Sequence, residues 1–280
     1  METFKMKTVL VVPNEIKQHL LGNTFEALMN LSGKAFRDVP GRKTIQVNLN
    51  NKSYFIKQHF GVGWAEIFKN LLSFKLPVLG ARTEVKAIQK LNEIGIATTP
   101  LVAHGQQGCN PASMRSFIIT EDLGDIISIE DLFDELKSND MQANPPNPAF
   151  KQKLIIAIAQ LATKLHRAGL CHRDFYLCHF VLKKAELAQG KLNLILIDLH
   201  RMLMQQPYNG SAVMKDIAGL MFSAKDYGFL AEDWALFKQH YLPQNPDFWQ
   251  KVEARAQKLY TKFNSEKFQK RLSAEKSALD

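Results

Sequence analysis

The sequence predicts an α+β fold of two lobes, a small antiparallel β-sheet lobe followed by a mainly helical one. Three observations carry that expectation. Residues 34–57 read as strand, turn, strand, turn, strand. Phe150–Ala168 reads as one long amphipathic helix, with Leu154, Ile158, Leu161 and Leu165 on a single face. A polar loop, His172–His179, follows it, and nineteen residues past His179 an apolar run, Leu194–Ile197, ends on the carboxylate of Asp198. The expected division is a first lobe over 1–120, a hinge over 121–127, and a helical lobe over 128–280 carrying the loop and a basic tail.

A chain of 280 residues is long enough for two such lobes. Its 46% hydrophobic and 22% charged content is that of a globular enzyme and excludes disorder. No apolar run approaches the ~20 residues of a membrane span. Met1–Thr8 leads only into Val9–Pro13, too short for a secretory core. Cys109, Cys171 and Cys178 are odd in number and lack metal-type spacing, which fits a reducing cytosol without a disulfide framework. The net charge of +9 and pI near 9.3 suit nucleic acid, anionic lipid or a phosphorylated substrate, and equally plain solubility.

In chain order, Asn14–Leu21 and Thr24–Leu31 read as short helices. Ala35–Arg37, Thr44–Leu49 and Ser53–Lys57 are strands, separated by turns at Pro40–Gly41–Arg42 and Asn50–Asn51–Lys52. Three antiparallel strands with a lysine ending the third are how a protein-kinase-like small lobe begins. There the first turn covers the nucleotide phosphates and the lysine, here Lys57, contacts them. Gly41 would let backbone N–H groups approach phosphate, although an ordinary hairpin accounts for it equally well. Arg42 and Lys43 beside it either add charge to that turn or are simply solvated. Gly61–Val62–Gly63–Trp64 resembles a glycine-rich nucleotide loop but follows the lysine strand. It is read instead as opening an amphipathic insertion, Ala65–Phe74, closed by Pro77 and Gly80.

Thr83–Ile94 is a helix with Val85, Ile88 and Leu91 on one face and Gly95 as its stop. Glu84 in its first turn either holds Lys57, as a kinase-type site requires, or favours the helix N-terminus electrostatically. With Lys57 upstream and Asp174 downstream the first reading is preferred. Pro100–Gly105 and Ser116–Thr120 are further strands. The polar segment from Glu121 through Leu123 to Asp125 is where a hinge would present backbone groups to adenine. Ile129–Leu136 is a short helix, and Asn139–Pro148, with three prolines, a surface loop.

In the central loop Asp174 is the expected catalytic base or acceptor-orienting carboxylate, braced by His172 and Arg173. Asp198 would hold Mg²⁺ on ATP. His179 stands five residues after Asp174, where protein kinases place a metal-binding Asn. Imidazole is a poor Mg²⁺ ligand, so His179 binds phosphate, orients Asp198, ligates a softer divalent ion, or is structural. Cys178 is expected to be a buried, unreactive thiol. Asp198 is followed by Leu199–His200–Arg201 with no Phe-Gly pair, and no Ala-Pro-Glu follows. Those absences argue against a regulated protein kinase and for a small-molecule or sugar kinase. Asp216 either braces the loop or, more simply, caps a helix starting at Lys215. Trp234, Phe237 and Tyr241 are core. In the tail, Lys251, Arg255, Lys258, Lys262, Lys267, Lys270, Arg271 and Lys276 form a solvated face, or rest with Leu259 and Phe263 on an anionic membrane.

Taken together, these stretches resemble the bacterial lipopolysaccharide core heptose(I) kinases. The resemblance lies in Tyr54–Lys57, Gly61–Trp64, Glu66–Leu72, Leu76–Gly80 and Ser116–Leu123. It continues in His172–Arg173–Asp174 with Tyr176, in Cys178–His179–Phe180, and in Ile197–Arg201, covering most of residues 33–240. It implies a protein-kinase-like fold, ATP with Mg²⁺, and catalysis by Asp174 on the first heptose of the inner core. It also implies work in the cytoplasm, peripheral to the inner membrane, on a phosphorylated glycolipid rather than nucleic acid. Acyl carrier protein is an implied acidic partner. Another core sugar such as the keto-sugar acid, protein tyrosine as acceptor, or an inactive nucleotide-binding scaffold are the alternatives.

Overall fold

The computed structural model describes residues 8–39, 41–64, 68, 80–138 and 148–277. The expected insertion at 65–74, apart from Phe68, the stretch 76–79 and the proline loop at 139–147 lie outside the described residues. The chain forms two compact units, one of residues up to Gly124 together with Asp198–Arg201, the other of Asp125–Ile197 and the residues from Met202 on.

In the first unit a six-stranded antiparallel sheet runs in the order β1-β5-β6-β4-β3-β2. Its strands are β1 (Thr8–Val11), β2 (Lys34–Val39), β3 (Arg42–Leu49), β4 (Lys52–His59), β5 (Leu101–Gln107) and β6 (Arg115–Glu121). The helices are α1 (Asn14–Lys17), α2 (Thr24–Met29) and α3 (Arg82–Glu93). The Asn23 side chain caps α2 by accepting from the Phe25 and Glu26 amides. Successive strand residues face opposite sides. Tyr54 and Ile56 of β4 therefore join Ile45, Val47, Phe117 and Ile119 in a core closed by Phe25, Leu28 and Met29 of α2. Gln58 shares that face and donates to the carbonyls of Leu28 and Leu31. The alternate residues Lys57 and His59, with Arg42 and Thr44 opposite them in register, take the other face. Val85, Ala87, Ile88 and Leu91 of α3 are buried, each large side chain contributing about 1.5–3 kcal/mol. No local pattern predicts β1. It is exposed along its length and, among the described residues, pairs with β5 alone, about ninety residues on.

The second unit is mainly helical. After β7 (Ile126–Ser128) come α4 (Ile129–Ser138), α5 (Pro148–Arg167), β8 (Phe180–Lys183), α6 (Lys184–Leu187), β9 (Ile195–Leu196), α7 (Ser211–Ala224), α8 (Ala231–His240), α9 (Pro246–Phe263) and α10 (Glu266–Ser277). A small sheet, β7-β8-β9, flanks the loop that α5 delivers. Gly169, at φ 72°, ends α5, and Leu170 donates back to the Leu165 carbonyl. Phe237 and Tyr241 are buried, as expected, and Trp234 half-buried. Leu259 and Phe263, which one of the two readings of the tail rests on a membrane, are half-buried, and Phe263 packs its ring on Phe222. Asp198–Arg201, expected within the second lobe, group with the first unit because this short turn packs on α3. Among the described residues no helix is long and apolar enough to cross a membrane.

Candidate active site

In the first unit β4 and α3 bring Lys57 Nζ to 2.5 Å from Glu84 Oε1. Lys57 also stands 3.9 Å from Asp198 Oδ1. His200 Nδ1 lies 2.6 Å from that same oxygen. Glu84 is buried, and its Oε2 has no hydrogen-bond partner among the described residues. An ion pair so placed adds little net stability, because desolvation offsets its attraction, and apolar residues of like size would serve the fold as well. Function is the better reason for it. Asp198 sits at φ 62°, a left-handed backbone that non-glycine residues adopt at a cost and that clusters at working sites.

The turn before β3 packs tightly. Gly41 has φ 79°, and a Cβ there would stand 2.8 Å from the Gly61 carbonyl oxygen. Gly61 and Val62 thus lie against the turn expected to cover phosphate, an adjacency the sequence order concealed. Arg42, next along, pairs in register with His59. Burial drives the His59 imidazole down to about 3, and the nearby Arg42 and Lys57 cations push the same way.

At the end of β6, Asp122 accepts from Gln46 (2.6 Å), Ser53 (2.7 Å) and the Gly124 amide (2.9 Å). Burial raises its pKa, but these hydrogen bonds outweigh burial and hold it below the usual carboxylate value. Glu121 closes β6 and donates its amide to the Pro100 carbonyl, so that N–H is committed within the unit. A recess of about 350 Å³ is lined by Ser53, Tyr54, Glu121, Asp122 and Gly124.

In the second unit the central loop is fastened from below by Asp216. Its carboxylate accepts from the His172 amide at 2.6 Å and the Arg173 amide at 2.8 Å. His166 Nε2 lies 3.3 Å away, with Tyr241 Oη at 2.7 Å from the other ring nitrogen. Arg173 is held at φ 73°. Asp216 lies well inside α7, which starts at Ser211, so bracing and not helix capping is its role. His172 Nε2 bonds the Ile197 carbonyl at 2.8 Å, and the Ile197 amide donates to His179 O at 3.0 Å. Asp174 is half-buried, and its backbone oxygen accepts from His179 Nδ1 at 2.6 Å. Because a carbonyl oxygen only accepts, that bond puts a proton on Nδ1. Cys178 is half-buried and hydrogen-bonds Glu130, less enclosed than expected. His166, Cys171 and Asp216 bring ligand atoms within 4.8 Å of one another. The Asp216 and His166 atoms are already spent on the loop and Tyr241, and burial pushes the Cys171 thiol up, away from the thiolate a metal needs.

A family profile described as "Lipopolysaccharide kinase (Kdo/WaaP) family" matches residues 26–241. The chain belongs to the lipopolysaccharide kinase (Kdo/WaaP) family. Among its relatives is the lipopolysaccharide core heptose(I) kinase WaaP of Pseudomonas aeruginosa, 42% identical over 218 residues, 78% of this chain and 80% of that protein. The enzyme of the same name from Escherichia coli K12 is 38% identical over 221 residues, 78% of this chain and 82% of that one. A solved structure, WaaP in complex with acyl carrier protein, superimposes with a TM-score of 0.73 at 33% identity, covering 90% of this chain and 99% of that chain. As a member of the Kdo/WaaP family the chain is a phosphotransferase of the kinase type.

Sequence reasoning singles out Lys57, Glu84 and Asp198, which the structure brings together, and passes over several of the groups around them. His59 and His166 give no local signal, since each sits in an ordinary strand or helix pattern, while His200 lies in the Ile197–Arg201 stretch and Tyr241 reads only as core. Asp216 did give one. It falls on the buried stripe of α7 with Val213, Ile217 and Leu220, where an unpaired acid would be costly.

Proposed function

We propose that the protein transfers the γ-phosphate of ATP to a hydroxyl of the first heptose in the lipopolysaccharide inner core. One observation carries the proposal: in a Kdo/WaaP family chain, the Lys57–Glu84 pair stands beside Asp198. Lys57, held by Glu84, binds the nucleotide phosphates. The turn at Gly41 covers them, and the backbone of Glu121, through its carbonyl, and of Leu123 meets adenine. Asp174 orients the acceptor hydroxyl and receives its proton, while His172 and Arg173 hold the loop through Asp216. Phosphoryl transfer asks mainly for such positioning and for cationic stabilisation of spreading negative charge.

Asp198 offers the hard carboxylate oxygen that Mg²⁺ requires, and the bound ion would neutralise charge on the phosphates. An imidazole nitrogen suits Mg²⁺ poorly, so in this reading His179 steadies the Asp174 carbonyl instead. The basic balance of the chain, +9, suits an acidic acyl carrier protein and the anionic inner-membrane surface, met through the exposed lysines of α9 and α10.

The test is transfer of labelled phosphate from ATP to lipopolysaccharide stripped of core phosphate, followed by sugar analysis. Label on heptose is the expected result. Label on the keto-sugar acid, or on protein tyrosine in a peptide control, would replace the acceptor, and no label anywhere despite ATP binding would overturn the proposal.

A further inference from the structure

Arg42 has no role in the site described above, yet its surroundings are unusual for a turn arginine. It opens β3 directly after Gly41, and its register partner across the ladder is His59. Thr44 pairs with Lys57 in the same ladder, so Arg42, Thr44, Lys57 and His59 share the sheet face that meets Glu84. Its guanidinium Nε is buried and has no hydrogen-bond partner among the described residues. The same is true of His59 Nε2 across the ladder. Arg42 as a whole is half-buried, but a buried guanidinium nitrogen without a partner in a native structure calls for a missing one.

The charges around it define what that partner is. Arg42 feels the carboxylates of Glu84 and Asp198, with burial lowering its pKa. Glu84 is already paired to Lys57, and Asp198 to His200. Neutral His59 adds no charge of its own. A guanidinium near a lysine and a carboxylate cluster, with donors left over, is built to receive a multiply charged oxyanion.

We propose that Arg42 is a second phosphate-binding cation, clamping the terminal phosphates of the nucleotide from the β3 side while Lys57 holds them from β4. The proposal rests on the kinase reading of the Lys57 site and extends it. Its donors have most to gain where charge is densest, on the terminal phosphate, so it discriminates triphosphate from diphosphate.

Equilibrium binding of ATP, ADP and adenosine to the full chain tests this in the native protein, Arg42→Gln, Arg42→Lys and Lys57→Gln. Loss of one charge-assisted clamp is expected to raise the Kd for ATP about tenfold in Arg42→Gln. ADP is expected to suffer less and adenosine to be unaffected, with Arg42→Lys recovering part of the loss. Equal weakening of all three ligands would mean a structural role, and unchanged ATP binding would mean no role; either overturns the proposal. Lys57→Gln separates the two levels. If it weakens ATP while Arg42→Gln does not, only the Arg42 proposal fails. If neither matters, the nucleotide site itself is misplaced.

Discussion

Asp216→Asn is the most informative single change in the second unit. The carboxylate receives two backbone N–H groups, from His172 and Arg173, at 2.6 and 2.8 Å, in a fully buried position. Hydrogen bonds to a charged acceptor contribute about 1.5–3 kcal/mol each. The asparagine amide keeps one oxygen and turns its NH₂ toward the second donor, so one bond becomes neutral and the other is lost with an orphaned N–H. Weakening the first costs about 1 kcal/mol and orphaning the second about 1–3, for a total near 3 kcal/mol. Arg173, at φ 73°, also loses the contact that holds it there. Denaturant unfolding followed by Trp234 and Trp249 fluorescence should show that loss. Turnover should fall about a hundredfold through misplacement of Asp174, with ATP affinity nearly unchanged because Lys57 is untouched. Stability within 0.5 kcal/mol of native, as for a neutral surface change, together with native turnover would refute the bracing role.

Other consequences concern the first unit. Lys57→Met leaves Glu84 buried without its cation and should cost about 3–5 kcal/mol, whereas Lys57→Met with Glu84→Leu should recover most of that stability and no activity. Melting and turnover of the single and double variants check it, and recovered turnover would count against a nucleotide role. His59 is depressed to about 3 in the folded chain, from the ordinary imidazole value of 6.5. The unfolded chain therefore takes up the proton first as pH falls, so the stabilisation is whole above pH 6.5 and is lost on descent toward pH 3. Between pH 6.5 and 4.5 the loss should be about 2–3 kcal/mol, and unfolding titrations of His59→Asn should lack that component. Gly41→Ala meets both a positive φ and the Gly61 carbonyl, and should destabilise by about 1–2 kcal/mol while raising the KM for ATP; an unchanged KM would remove the turn from the nucleotide site.

The strands β2 to β4 and the helices α3 and α5 were legible because their signals are local: alternation, turn residues, a repeating apolar face and a glycine stop. Lys57 and Glu84, 27 residues apart, could be paired only by matching a known arrangement, and their geometry bears that pairing out. What escaped was set by distant partners. β1 is an exposed edge strand whose pairing depends on β5, and β7 hides within the segment read as hinge. For Asp216 the sequence leaves bracing open beside the simpler cap, because its partners, the His172 and Arg173 amides, lie more than forty residues upstream. Phe263 in the tail packs on Phe222, a contact that helical periodicity in α9 alone does not specify.

Phosphate transfer from labelled ATP to core-dephosphorylated lipopolysaccharide, comparing the native chain with Asp174→Asn, tests the central claim most directly. The expected result is label on heptose with the native chain and at least a hundredfold less with the variant, at equal ATP affinity. Near-native transfer by Asp174→Asn would contradict the assignment of Asp174 as the acceptor-orienting carboxylate.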